Sequence, residues 1–124
     1  MEKQQLAIGV FDSGMGGLTV LRALQELLPQ ESFVYLGDTA RLPYGTKSVD
    51  TVQQYAMQMA KLLVERQIKA LVIACNTATT AALSHLQSLM LDLPILGVVS
   101  PGANAAISAT KNQHISVLAT ETTI

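Results

Sequence analysis

Ala70-Leu71-Val72-Ile73-Ala74 runs directly into Cys75-Asn76-Thr77-Ala78-Thr79-Thr80-Ala81-Ala82-Leu83, and this junction decides the reading of the fold. An apolar run with no period of two predicts a strand buried on both faces. The alanine-rich continuation predicts a helix over residues 77–91. A buried strand feeding straight into a helix is the repeating unit of a parallel sheet.

The same grammar recurs outward from this junction. Apolar runs at residues 6–11, 32–36, 94–98 and 115–119 read as four further strands. Leu21, Leu24 and Leu28 follow helical spacing and stop at Pro29. A longer helix begins after Ser48, a suitable N-cap; Asp50 suits its positive start, and Val52, Tyr55, Ala56, Met59, Leu62 and Leu63 share an apolar face. A fourth helix is expected to start after Pro101, a residue favoured near helix starts, and to run to about Thr110. The predicted class is α/β: a parallel sheet with helices on both faces, in flavodoxin-like layering. Small residues and Pro101 interrupt the pattern between Gly97 and Ala103. This predicts a domain crossing, with a first lobe at residues 1–99 and the start of a second lobe at 100–124.

Composition narrows the function classes. The 124 residues fit one domain with ample core material, since 49% are apolar. The net charge is -1, and Lys and Arg are scattered singly, so no basic stripe points to nucleic acid. The polar start Met1-Glu2-Lys3-Gln4-Gln5 leads into too few apolar residues for a signal segment or a membrane span, which predicts a cytoplasmic protein. A single cysteine excludes an intrachain disulfide and leaves Cys75 to packing or to chemistry. Thr120-Glu121-Thr122-Thr123-Ile124 follows an apolar run without a terminal helix or polar tail, which predicts a truncated chain.

In open α/β sheets ligands collect beyond the carboxyl ends of the strands. Most of the small polar residues fall there. Asp12-Ser13-Gly14-Met15-Gly16-Gly17 follows the first run, Gly37-Asp38-Thr39-Ala40-Arg41-Leu42-Pro43-Tyr44-Gly45 the second, Cys75-Asn76-Thr77 the third, and Thr120 to Thr123 the last. The glycine-rich turn at a helix start would suit a carboxylate. It is equally read as a tight turn whose glycines take positive φ, with Asp12 as a cap. Cys75 stands at a helix N-terminus, a position that favours a thiolate and hence a base, although a lone cysteine is also a common core residue. Asn76 and Thr77 set an amide and a hydroxyl beside it. Residues 41–45 read as a lid loop or as an ordinary turn in which Asp38 and Arg41 pair. His85 and His114 lack a metal-ligand spacing with Cys75, and Met57, Met59 and Met90 read as packing.

Taken together, Phe11-Asp12-Ser13-Gly14-Met15-Gly16-Gly17-Leu18-Thr19-Val20, Leu36-Gly37-Asp38-Thr39-Ala40-Arg41-Leu42-Pro43-Tyr44-Gly45 and Ala74-Cys75-Asn76-Thr77-Ala78-Thr79 resemble the glutamate racemases of the aspartate/glutamate racemase family. Gly97-Val98-Val99-Ser100-Pro101-Gly102 and Val117-Leu118-Ala119-Thr120 follow in the matching order, so the resemblance covers the whole length. It implies a two-domain cytoplasmic enzyme that interconverts L- and D-glutamate and supplies D-glutamate for peptidoglycan, hence for cell-wall biogenesis and cell shape. It implies no pyridoxal phosphate, no metal, and a homodimer as a common assembly. Carried over residue by residue, it makes Cys75 one of two acid/base thiols. Asp12, Ser13, Pro43, Tyr44, Gly45, Asn76 and Thr77 then line or shape the substrate site, with Asp12 also a candidate proton acceptor.

That chemistry suits the residue types on its own terms. Inverting an α-carbon takes one group to remove a proton from one face and a second to deliver one to the other. The family's second cysteine, followed by Thr and His, lies beyond Ile124, so the chain alone is expected to be inactive. Thr122 also stands where a smaller residue is usual. The same residues admit two rival readings: a relative acting on aspartate or another amino acid, and a non-catalytic module that binds an anion or nucleotide at Gly14 to Gly17.

Overall fold

The computed structural model describes residues 2–124. Strands β1 (Ala7–Asp12), β2 (Phe33–Gly37), β3 (Ile68–Ile73) and β4 (Ile95–Gly97) alternate with helices α1 (Leu18–Leu27), α2 (Val49–Glu65), α3 (Asn76–Leu89) and α4 (Val99–Ala109). The strands form one parallel sheet in the order β2-β1-β3-β4. The α/β class therefore stands.

Alternation along each strand assigns the helices to faces. Phe11, Leu71 and Ile73 point into a core completed by Val52, Ala56, Ala60 and Leu63 of α2 and Ala78, Ala82 and Leu86 of α3. Val10 and Asp12 point the other way, where the start of α1 packs: a Cβ on Gly17 would lie 2.7 Å from that of Asp12 and 3.0 Å from that of Ala74. Helices thus flank the sheet on both faces, but unequally. No residue of α1 is fully buried, whereas α2 and α3 carry most of the core.

The local rules that set α2 operate as expected. Ser48 adopts extended dihedrals, its hydroxyl accepts the Thr51 N–H at 3.2 Å, and Asp50 lies in the first turn. The helix leaves through Gln67, whose φ of 60° is left-handed without the usual glycine. Met59 is buried in the core, with Met57 and Met90 packed against it.

Three expectations need correction. β3 begins at Ile68, before the continuous apolar run, because Ile68 is itself buried against β1. Helix α4 begins at Val99, so Pro101 sits within the first turn rather than ahead of it. The run at residues 115–119 forms no strand. Ile115, Val117 and Leu118 are exposed, Leu118 by 99%, and residues 115–119 join none of the four strands of the sheet. The segment instead crosses the carboxyl ends of the strands as irregular chain and closes in a turn at Thr120 to Thr123. Among the described residues no helix is long and apolar enough to cross a membrane.

Candidate functional site

From β1 the chain moves outward to β2, then crosses back to β3 on the other side of β1. Loops leaving β1 and β3 therefore diverge and open a crevice at their carboxyl ends. Asp12, the last residue of β1, and Cys75, just past β3, line that crevice with Gly16, Gly17, Asn76 and Thr77; the cavity measures about 520 Å³. Leu118, Ala119, Thr120 and Thr123 of the crossing segment form its outer wall.

Cys75 is the N-cap of α3, with extended dihedrals. Its Sγ accepts the Ala78 N–H at 3.4 Å and it is 8% exposed. A backbone donor and the N-terminal end of the helix both face the sulfur. Asn76 is exposed at the rim. Thr77 is buried, and its Oγ1 lies 2.8 Å from that of Thr120, which in turn is 3.0 Å from Thr123 Oγ1. Three threonine hydroxyls thus form a chain along one side of the cavity.

Asp12 is 5% exposed, and its Oδ2 accepts the Gly17 N–H at 2.8 Å. Of the two readings the turn offered, that N–H follows the second: Asp12 caps it, and the anion it holds is the protein's own carboxylate. The turn does not, however, need glycine for its dihedrals, since no glycine has positive φ. It needs space. Gly17 is crowded by Asp12 and Ala74, and a Cβ on Gly37 of β2 would collide with the Gly14 carbonyl.

The Tyr35 hydroxyl donates to Gly14 O at 2.9 Å and lies 3.4 Å from Asp12 Oδ2. Partial burial, followed by the Asp12 charge and hydrogen bond, pushes its ionisation up from 10.0 to about 12. Unfolding releases that constraint, so the neutral phenol's contribution to stability is whole below pH 10.0 and fades as pH rises toward about 12. Ultraviolet titration of phenolate should show Tyr35 ionising near the upper value in the folded protein and near the lower in denaturant.

Not every expected site residue reaches the cavity. Ser13, Pro43, Tyr44 and Gly45 do not line it. The Tyr44 side chain is 1% exposed and turns into the core, its ring centroid 6.1 Å from Phe11 and 5.5 Å from Tyr55. Its hydroxyl donates to Asp38 Oδ2, and burial with that hydrogen bond holds its proton far more tightly than usual. Arg41 Nε donates to the same Asp38 oxygen at 2.6 Å, and the guanidinium sits 4.0 Å above the Tyr55 ring. Asp38 and Arg41 thus pair, as one reading of the loop expected, but largely within the fold. Gly45 approaches the cavity from outside: a Cβ there would collide with Thr120. The sequence placed Thr120 and Thr123 on the rim without assigning them to the site, and gave Tyr35 no role. Among the described residues no three His, Cys, Asp or Glu side chains converge as a metal cradle.

A parallel sheet whose β1/β3 crevice gathers a capped thiol, a buried carboxylate and a row of hydroxyls defines an α/β domain suited to a small polar molecule. The chain belongs to the Asp/Glu/Hydantoin racemase family, whose sequence pattern matches residues 8–123. It is 53% identical over 118 residues to the glutamate racemase of Geobacter metallireducens, covering 95% of this chain and 43% of that protein. The crystal structure of glutamate racemase from Thermus thermophilus in complex with β-chloro-D-alanine superposes with a TM-score of 0.80 at 51% identity, over 89% of this chain and 43% of that one. The glutamate racemase of Francisella tularensis, crystallised with D-glutamate, gives 0.78 at 44% identity, over 83% and 39%. The chain spans less than half the length of each of these relatives.

Proposed function

We propose that the protein racemises glutamate without a cofactor, and that this chain supplies one of the two bases. Cys75 carries the proposal: it is the one thiol in the sequence, it is capped by a backbone donor at a helix start, and it opens onto the same cavity as Asp12. The similarity to glutamate racemases, one of them crystallised with D-glutamate, supports glutamate as substrate.

In the proposed reaction the Cys75 thiolate takes the α-proton from one face of the amino acid, becoming a thiol and leaving a carbanion. A second thiol, from outside these 124 residues, delivers its own proton to the opposite face. Reversal in the next turnover, or exchange with solvent, resets both groups. An α-proton is weakly acidic, so the step needs a desolvated base and donors to the substrate carboxylate. Asn76 and Thr77, which line the cavity, are assigned to substrate binding; Ser13 and Gly45, which lie outside it, take that role only by the family resemblance. Asp12 is assigned to the substrate ammonium or to relaying the proton.

Residues 1–99 are assigned to the first lobe and 100–124 to the beginning of a second. D-glutamate made in the cytoplasm would serve peptidoglycan and so cell shape. Chiral analysis of the full-length protein with L-glutamate, without pyridoxal phosphate or metal, tests this reading. It should yield an equal mixture of enantiomers while leaving aspartate unchanged, and the 124-residue chain alone should yield no inversion. Inversion of aspartate in preference to glutamate, or of neither, would overturn it.

A further inference from the structure

The outer strand β2 meets the site in a way that the reaction above does not use. Tyr35 pairs in register with Val10 and Gly37 with Asp12, so both β2 residues face the same side of the sheet as the Asp12 carboxylate. Gly37 leaves room for the Gly14 carbonyl to lie over the strand, and that carbonyl ends on the Tyr35 hydroxyl at 2.9 Å. The same hydroxyl stands 3.4 Å from Asp12 Oδ2, the oxygen that also accepts the Gly17 N–H. Every hydrogen bond to the Asp12 side chain among the described residues falls on Oδ2, which leaves Oδ1 free for the cavity.

We infer that Tyr35 is a positioning residue for the proton-transfer step, fixing the Asp12 carboxylate and the Gly14 carbonyl relative to each other from the neighbouring strand. The inference rests on the racemase reading above. One hydroxyl proton serves two acceptors. When Asp12 is charged the hydroxyl can support Oδ2; when Asp12 takes up a proton the hydroxyl stays with Gly14, and the turn does not move. A phenol that keeps its proton to about pH 12 remains a donor throughout the range in which an enzyme works. A purely structural role would make Tyr35 a strut for the turn, important to folding and to substrate binding but indifferent to the charge on Asp12.

The test is a double-mutant cycle in the full-length protein with Tyr35→Phe and Asp12→Asn, reading kcat and KM for glutamate and the denaturant midpoint. Tyr35→Phe should lower kcat roughly tenfold, the scale of one hydrogen bond to a charged group, with KM changed by less than about twofold. In the Asp12→Asn background the same substitution should lower kcat by less than about twofold, because the charge it steadies is gone. If Tyr35→Phe folds poorly, 3-fluorotyrosine at position 35 provides the second measurement: it keeps the ring and the hydroxyl, and kcat should stay within about twofold of the unsubstituted value. Three results overturn the inference: kcat unchanged in Tyr35→Phe, an undiminished loss in the Asp12→Asn background, or a rise in KM with kcat preserved. If the unsubstituted protein inverts no amino acid, the racemase reading fails and this inference falls with it; racemisation that is indifferent to Tyr35 overturns this inference alone.

Discussion

Replacing Cys75 by serine in the full-length protein should lower glutamate racemisation by roughly a thousandfold or more, the upper range for losing a general base. An alcohol holds its proton far more tightly than a thiol, so at neutral pH serine offers no anion to accept the α-proton. The same substitution should leave folding intact. Cys75 already occupies the N-cap of α3 with Sγ accepting the Ala78 N–H, and serine is a preferred residue at that position. A collapse in rate with an unchanged denaturant midpoint is therefore the expected signature. A midpoint that falls along with the rate would instead mark Cys75 as a core residue.

Asp38→Ala should produce the largest loss of stability, about 3 kcal/mol by denaturant unfolding. The Asp38 carboxylate accepts from both the Tyr44 hydroxyl and Arg41 Nε, and Asp38 and Tyr44 are each almost wholly buried. Alanine leaves a phenol with no acceptor between Phe11 and Tyr55, and a guanidinium over Tyr55 with no counter-charge. Asp38→Asn keeps an acceptor oxygen and should cost only about 1 kcal/mol. The loop that these contacts brace carries Gly45, whose close approach to Thr120 steadies the outer wall of the cavity, so Asp38→Ala should raise KM for glutamate as well. Equal midpoints for Asp38→Ala and the unsubstituted protein would contradict this account of the loop.

The contrast between Cys75 and Tyr44 explains which residues of the cavity lining were legible in the sequence. Asp12, Cys75, Asn76 and Thr77 follow buried apolar runs directly, and the geometry of a parallel sheet carries strand ends to one rim whatever the side-chain packing. Tyr44 lies in a loop, where no periodicity fixes direction. Its ring gains by burial and its hydroxyl finds Asp38 inside, so it turns away from the rim that its polarity suggested. The pairing of Asp38 with Arg41 was one of the two readings their loop offered and it forms, but nothing in their spacing reveals that Tyr44 and Tyr55 pack against the pair.

Two other features depend on neighbours that a sequence does not display. The run at residues 115–119 has strand composition but pairs with none of the four strands, and a segment without a partner forms no ladder. The glycines of the first turn looked like dihedral requirements, whereas Gly17 and Gly37 are there to admit Asp12 and the Gly14 carbonyl. Tyr35 sat inside an apolar run and carried one faint signal, its spacing two residues before Gly37 on the same face as Asp12. By contrast the Ser48 cap and most of the apolar face of α2 were legible, because capping and helical periodicity are local; Leu62, expected on that face, is instead exposed, and Ala60 is buried in its place.

The measurement that bears most directly on Cys75 as a base is incorporation of solvent deuterium at the α-carbon, followed by NMR in D2O, with D- and L-glutamate supplied separately to the full-length protein and to its Cys75→Ser variant. The account predicts exchange from both enantiomers in the unsubstituted protein, and loss of exchange from one in the variant, D-glutamate by the family resemblance. Exchange from both enantiomers at undiminished rate in Cys75→Ser, or from neither in the unsubstituted protein, would contradict it.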